Sequence, residues 1–189
     1  MLKAFLNMAN DSLWITTSPG DNVPEEVNVV VETPRGSRNK YEVNKEGQGI
    51  NLDRVLHSSV MYPADYGFIP RSYYEDGDPI DVLVLTSFPL YPGTILKARP
   101  VGVMHMIDGG DRDDKIIAVA SKDPMNQGIK EITDVNPHLL AEIKNFFETY
   151  KLLEGKKTSV SDYGNADEAK KQIVGALKLF NDKFEKEFE

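Results

Sequence analysis

The chain has 189 residues, 40% hydrophobic and 28% charged, with a formal net charge of −8 and no cysteine. This length fits one domain with a real core, and the composition argues against disorder. The missing thiols exclude disulfides, zinc–thiolate sites and a cysteine nucleophile, and the acidic balance opposes nucleic acid and anionic membrane as partners.

Met1–Asn10 is short and interrupted by Asn, unlike a signal peptide, and no Arg precedes Arg35. No apolar run approaches spanning length, so a cytoplasmic protein is expected. Residues 1–24 end in a turn-rich Ser18-Pro19-Gly20 stretch and read as an N-terminal extension. Val27 to Glu32 is a β-branched run stopped by Pro34, hence a strand. In Lys40-Tyr41-Glu42-Val43-Asn44 the side chains alternate. Its Lys40/Glu42 face is either a solvated edge or the wall of a polar cavity, and this stretch alone favours the edge. Arg54 follows a Gly-rich turn. Met61 to Pro70 is an aromatic segment bracketed by prolines, read as a packed loop in which Tyr66 can aim its hydroxyl into a site.

Asp76-Gly77-Asp78-Pro79-Ile80-Asp81 is the stretch around which the chain is organised. Asp is poor in helices and strands, and three carboxylates this close repel one another. A hard divalent cation removes that penalty. The EF-hand pattern fails, because Asp81 stands where that loop needs Gly and Ser87 where it needs Glu. A strand follows from Pro79 to Thr86, with further strands at Thr94–Val103 and Lys115–Ala120. The connector from Asp108 to Lys115 carries more carboxylates. It is either an exposed hairpin or the second half of one metal site.

Asn136 caps and Pro137 opens a helix over about 137–153, with Leu139, Leu140, Ile143, Phe146, Phe147, Tyr150 and Leu153 on one face. A second helix, about 166–187, buries Ala169, Ile173, Leu177, Phe180 and Phe184. Short strands followed by two helices give an α+β chain, a small barrel over about 27–122 with helices on one side, in a single domain.

No P-loop, Rossmann glycine motif, HExxH or GxSxG occurs. What remains is carboxylate-rich: Glu32, Glu42, Asp76, Asp78, Asp81, Asp108 and Asp113. Around these stand Lys40, Arg54, Lys115 and Lys151, with Tyr66 and Tyr150. Carboxylates without imidazole or thiolate favour magnesium or manganese, and the cations and hydroxyls suit phosphate oxygens. The residue types point to metal-assisted phosphoryl transfer to water.

Asp76-Gly77-Asp78-Pro79-Ile80-Asp81-Val82 resembles the D-x-D-P-x-D-V run of the family I soluble inorganic pyrophosphatases of prokaryotic type. The likeness continues through Val31-Glu32-Thr33-Pro34, Lys40-Tyr41-Glu42, Asp53-Arg54, Tyr62 to Gly67, Asp108 to Lys115 and Phe146 to Lys151. It implies a five-stranded OB-like barrel flanked by two C-terminal helices, hydrolysing pyrophosphate with several magnesium ions. Manganese is the implied substitute and calcium an inhibitor. By position, Asp76, Asp81 and Asp113 would hold the tighter metals and Asp78 would be the general base. Asp108 and Glu32 would serve metals that arrive with substrate, and Glu42 would stand in the outer shell. Lys40, Arg54, Tyr66, Lys115, Tyr150 and Lys151 would hold the phosphates. The chain's length favours a homohexamer. Gly109 stands where the family often has an acid, and Thr158 where it often has a tryptophan.

Overall fold

The computed structural model describes residues 11–188, so the first ten residues of the expected N-terminal extension lie outside it. Among the described residues, nine strands and two long helices make a mixed α+β structure, strand-rich up to residue 120 and helical toward the C-terminus. Five strands pair in a ring: β1 (Val27–Thr33) with β4 (Asp65–Phe68), β4 with β5 (Asp81–Leu85), β5 with β8 (Lys115–Ala120), β8 with β6 (Ile95–Asp108), and β6 back to β1. Only the β5–β8 pairing in the ring is parallel. β7 (Asp111–Arg112) and β9 (Thr158–Gly164) extend from β6, while β2 (Asn39–Val43) and β3 (Ile50–Val55) form a separate hairpin.

β5 and β8 are apolar on both faces because both are covered, which is why their sequences read as continuous runs rather than alternating ones. Val82, Val84, Ile116 and Ala118 pack with Ala169, Ile173 and Ala176 of helix α3 (Ala166–Phe188). Leu83, Leu85, Ile117 and Val119 pack with Ile143, Phe146 and Phe147 of helix α2 (Pro137–Thr149). β1 and β4 approach closely at Gly67, where a Cβ would lie 2.0 Å from the Val30 carbonyl oxygen. Only glycine fits there.

Three expectations need correction, and β3 and β9, the latter between the two helices, have no counterpart among the expected strands. The aromatic segment read as a loop contains β4. β6 runs on to Asp108, well past Val103. Helix α2 stops at Thr149, not near Leu153, and a short 3₁₀ turn, Leu152–Glu154, leads to Gly155 in the left-handed region. Leu153 is therefore solvent-exposed rather than part of the buried stripe. Within the expected extension, a one-turn helix α1 (Leu13–Thr16) is capped by Ser12. It seats Trp14 against Tyr73, Phe180 and Phe184.

Candidate active site

The parallel pairing of β5 and β8 sets Asp81 directly beside Lys115, each the first residue of its strand. Lys115 Nζ lies 2.5 Å from both Asp81 Oδ2 and Asp113 Oδ1. Burial works against the charge on Lys115, but the two carboxylates outweigh it and raise its pKa. Tyr66, on β4 next to β5, donates its hydroxyl to Asp81. Burial, then the Asp81 charge, pushes that phenol well above its usual range.

The acidic turn is held by its own backbone. Gly77 has φ +92°, its N–H donates to the Tyr74 carbonyl at 3.1 Å, and the Asp78 N–H donates to Asp76 Oδ1 at 3.0 Å. The positive φ is the reason a glycine stands between the two acids. Asp113 and Asp108 lie on either side of the β6–β7 turn, with the Asp113 N–H donating to the Met106 carbonyl at 2.9 Å. Glu32, near the end of β1, is 6% exposed and accepts from the Val43 N–H at 2.6 Å. Burial pushes its pKa up to about 8. Asp113 is likewise pushed up to about 6, by burial and then by Asp81, with Lys115 opposing.

Twelve of the thirteen residues singled out in the sequence line one cleft of about 170 Å³. They are Glu32, Lys40, Glu42, Tyr66, Asp76, Asp78, Asp81, Asp108, Asp113, Lys115, Tyr150 and Lys151. Lys40 and Glu42 are thus the wall of a polar cavity, not a solvated edge. Arg54 is the exception. It stands on β3 opposite Lys40 and pairs with Asp53 and Glu154 without lining the cleft.

Sequence reasoning missed Lys45, which pairs with Asp78 from the turn after β2 and belongs to no pattern that would mark it. It also read Tyr62 as packing alone. Tyr62 does pack, with ring centroids 5.4 Å from Tyr66 and 4.7 Å from Phe146, and it lines the cleft as well.

Seven carboxylates and four lysines face this cleft, so an anion entering it meets an unfavourable field unless cations come too. Among the described residues no three of the acids converge tightly enough to enclose an ion by themselves. Instead lysines are drawn in: Lys40 to Glu42, Lys45 to Asp78, Lys151 to Asp108, and Lys115 between Asp81 and Asp113. Those ammonium groups mark where the acids need positive charge. The oxygen-only donor set fits a hard divalent cation such as magnesium or manganese and does not fit zinc. A second hollow of about 590 Å³, beside Phe88, Ile95 and Met125, is mainly apolar, and its one carboxylate, Asp123, is satisfied by Ser87. It brings no comparable chemistry together.

The family model described as inorganic pyrophosphatase matches residues 29–181. An inorganic pyrophosphatase of Picrophilus torridus is 51% identical over 168 residues, 89% of this chain and 95% of that protein. One of Halobacterium salinarum is 49% identical over 178 residues, 94% of this chain and 99% of that protein. Among solved structures, the crystal structure of inorganic pyrophosphatase from Thermus thermophilus superposes with a TM-score of 0.85 at 39% identity. That superposition covers 92% of this chain and 99% of that one. The chain belongs to the inorganic pyrophosphatase family, and it is an enzyme of that class, as its acidic turn led us to expect.

Proposed function

We propose that this chain hydrolyses inorganic pyrophosphate to two orthophosphates, with magnesium, in the carboxylate-lined cleft. The observation that carries the reading is the convergence there of acids from β1, β2, β5, the Asp76–Asp78 turn and the β6–β7 turn, with lysines and tyrosines interleaved. Asp76, Asp81 and Asp113 would hold the tighter ions. Asp108 and Glu32 would serve ions that enter with substrate, with Glu42 outside them. Magnesium bound there neutralises substrate charge and makes a water more acidic.

Asp78, at the cleft's rim on a fixed turn, takes the proton from the attacking water. Attack forms one phosphorus–oxygen bond and breaks the bridging one. Lys40, Lys115 and Lys151 hold the phosphate oxygens from the cleft wall and Arg54 from beside Lys40; the hydroxyls of Tyr150 and of Tyr66, the latter on leaving Asp81, donate to them. Burial, and then nearby acids including Asp81 for Tyr66 and Asp108 for Tyr150, keeps both phenols protonated and able to donate.

The ring of five strands is the OB-like barrel of this reading, with two helices against it in a single domain. The working form is a cytoplasmic homohexamer, and the exposed side chains of Phe88, Tyr91 and Met125 support self-association. Among the described residues no helix is long and apolar enough to cross a membrane.

Calorimetric titration with magnesium chloride tests the metal assignment without reference to activity. The unaltered chain is expected to bind magnesium. Asp81→Asn is expected to weaken its tightest binding about tenfold or more. Unchanged binding in that variant would remove Asp81 from the ligand set.

A further inference from the structure

The guanidinium of Arg54 is held by two carboxylates and leaves one nitrogen over. Nε donates to Glu154 Oε1 at 3.1 Å and Nη1 to Asp53 Oδ2 at 2.5 Å. Nη2 is buried with no hydrogen-bond partner among the described residues. A buried donor on a charged group costs free energy while it stays unpaired, and an anion brought to it forms a strong charge-assisted bond.

The two carboxylates are not equivalent. Asp53 is Arg54's own neighbour in sequence, is 30% exposed at its side chain, and also lies 3.3 Å from Lys40 Nζ. Glu154 comes from 100 residues away and its side chain is 9% exposed. It sits in the 3₁₀ turn that follows Tyr150 and Lys151, both on the cleft wall. The Glu154–Arg54 pair therefore fixes the β2–β3 hairpin relative to the C-terminal end of α2.

We propose that Glu154 is a positioning residue: it grips Arg54 through Nε, fixes the guanidinium plane beside Lys40 of the cleft wall, and leaves Nη2 unpaired for a phosphate oxygen. The inference rests on the pyrophosphatase reading above. Glu154 itself touches no reacting atom; its effect passes through Arg54. An arginine free to rotate would have to be ordered by the substrate, and that ordering entropy would appear as weaker binding.

Steady-state kinetics with pyrophosphate and magnesium, in single and double variants, tests this. Glu154→Ala is expected to raise KM about tenfold with kcat changed no more than about twofold. Glu154→Gln keeps an oxygen to accept from Nε and is expected to recover most of the loss. In the Arg54→Ala background, Glu154→Ala is expected to change neither constant further, because its route of action is gone.

An unchanged KM in Glu154→Ala would overturn the proposal, as would a KM rise of the same size in the Arg54→Ala background. Where Glu154→Ala does not fold, Glu154→Gln, which preserves the volume, decides in the same way. Its smaller rise must vanish in the Arg54→Ala background, and a rise that persists there overturns the proposal. No phosphate release from the unaltered chain would fail the pyrophosphatase reading itself. An active enzyme indifferent to Glu154 fails only the positioning role.

Discussion

Asp78 differs from the other acids of the cleft in how it is held. Its side chain is 52% exposed and its contact is Lys45, whereas Asp81 and Asp113 share the buried Lys115. An acid at the rim stands open to incoming water, while acids clamped around a buried ammonium suit a fixed cation. Asp78→Asn is accordingly expected to lower kcat about 10²- to 10⁴-fold while KM changes far less, because proton removal matters only in the chemical step. Steady-state kinetics reads this directly. A magnesium affinity that fell as far as kcat would place Asp78 among the metal ligands instead. The residue types and the Asp-Gly-Asp spacing made this site legible in the sequence. Lys45 was not legible, because a lone lysine in a turn looks the same whether it faces water or a carboxylate.

At the scale of elements, the β6–β7 turn is held from behind as well as from the cleft. Asp113 and Lys115 face the cleft, while Asp114 between them points away and its side chain is 1% exposed. Asp114 accepts from Arg112 Nε at 2.8 Å, Gln172 Nε2 at 2.8 Å and the Met106 N–H at 3.1 Å, and sits 3.0 Å from His105 Nδ1. It thereby ties the turn to α3. Burial alone would raise its pKa, but these donors, Arg112 foremost, hold it below the usual carboxylate range. A depressed folded-state pKa stabilises the fold above the unfolded value of roughly 3.9, and that contribution is lost as pH falls through the folded value. Asp114→Ala, which leaves the Met106 N–H and Gln172 without their acceptor while the half-exposed Arg112 can turn to water, is expected to cost about 2 kcal/mol at pH 7. Its deficit should shrink as pH is lowered below roughly 3.9 toward the folded value. Urea denaturation at the two pH values checks this, and a pH-independent deficit would contradict it.

The elements that the sequence did not reveal have physical reasons. β4 is only four residues long and carries Gly67, which reads as a loop but is needed where Val30 comes within 2.0 Å of a Cβ position. β9 alternates Ser, Val and Asp with little apolar content, since mainly Val160 and Gly164 turn inward. Helix α2 was legible through Asn136, Pro137 and its aromatic spacing. Its end was not, because Leu152 and Leu153 continue the apolar pattern into a turn that exposes them.

For the molecule as a whole, a protein of net charge −8 is proposed to take a polyanion into a cleft where acids outnumber lysines. Coulomb repulsion makes that arrangement workable only with divalent cations, so metal dependence is a consequence of the charge distribution rather than an addition to it. Phosphate release from pyrophosphate tests this most directly, measured with magnesium, with calcium in excess, and without metal, and with ATP as a parallel substrate. Release is expected to require magnesium, to be suppressed by calcium and to be nearly absent with ATP. Release that persists without any divalent ion, or no release under any metal, would contradict it.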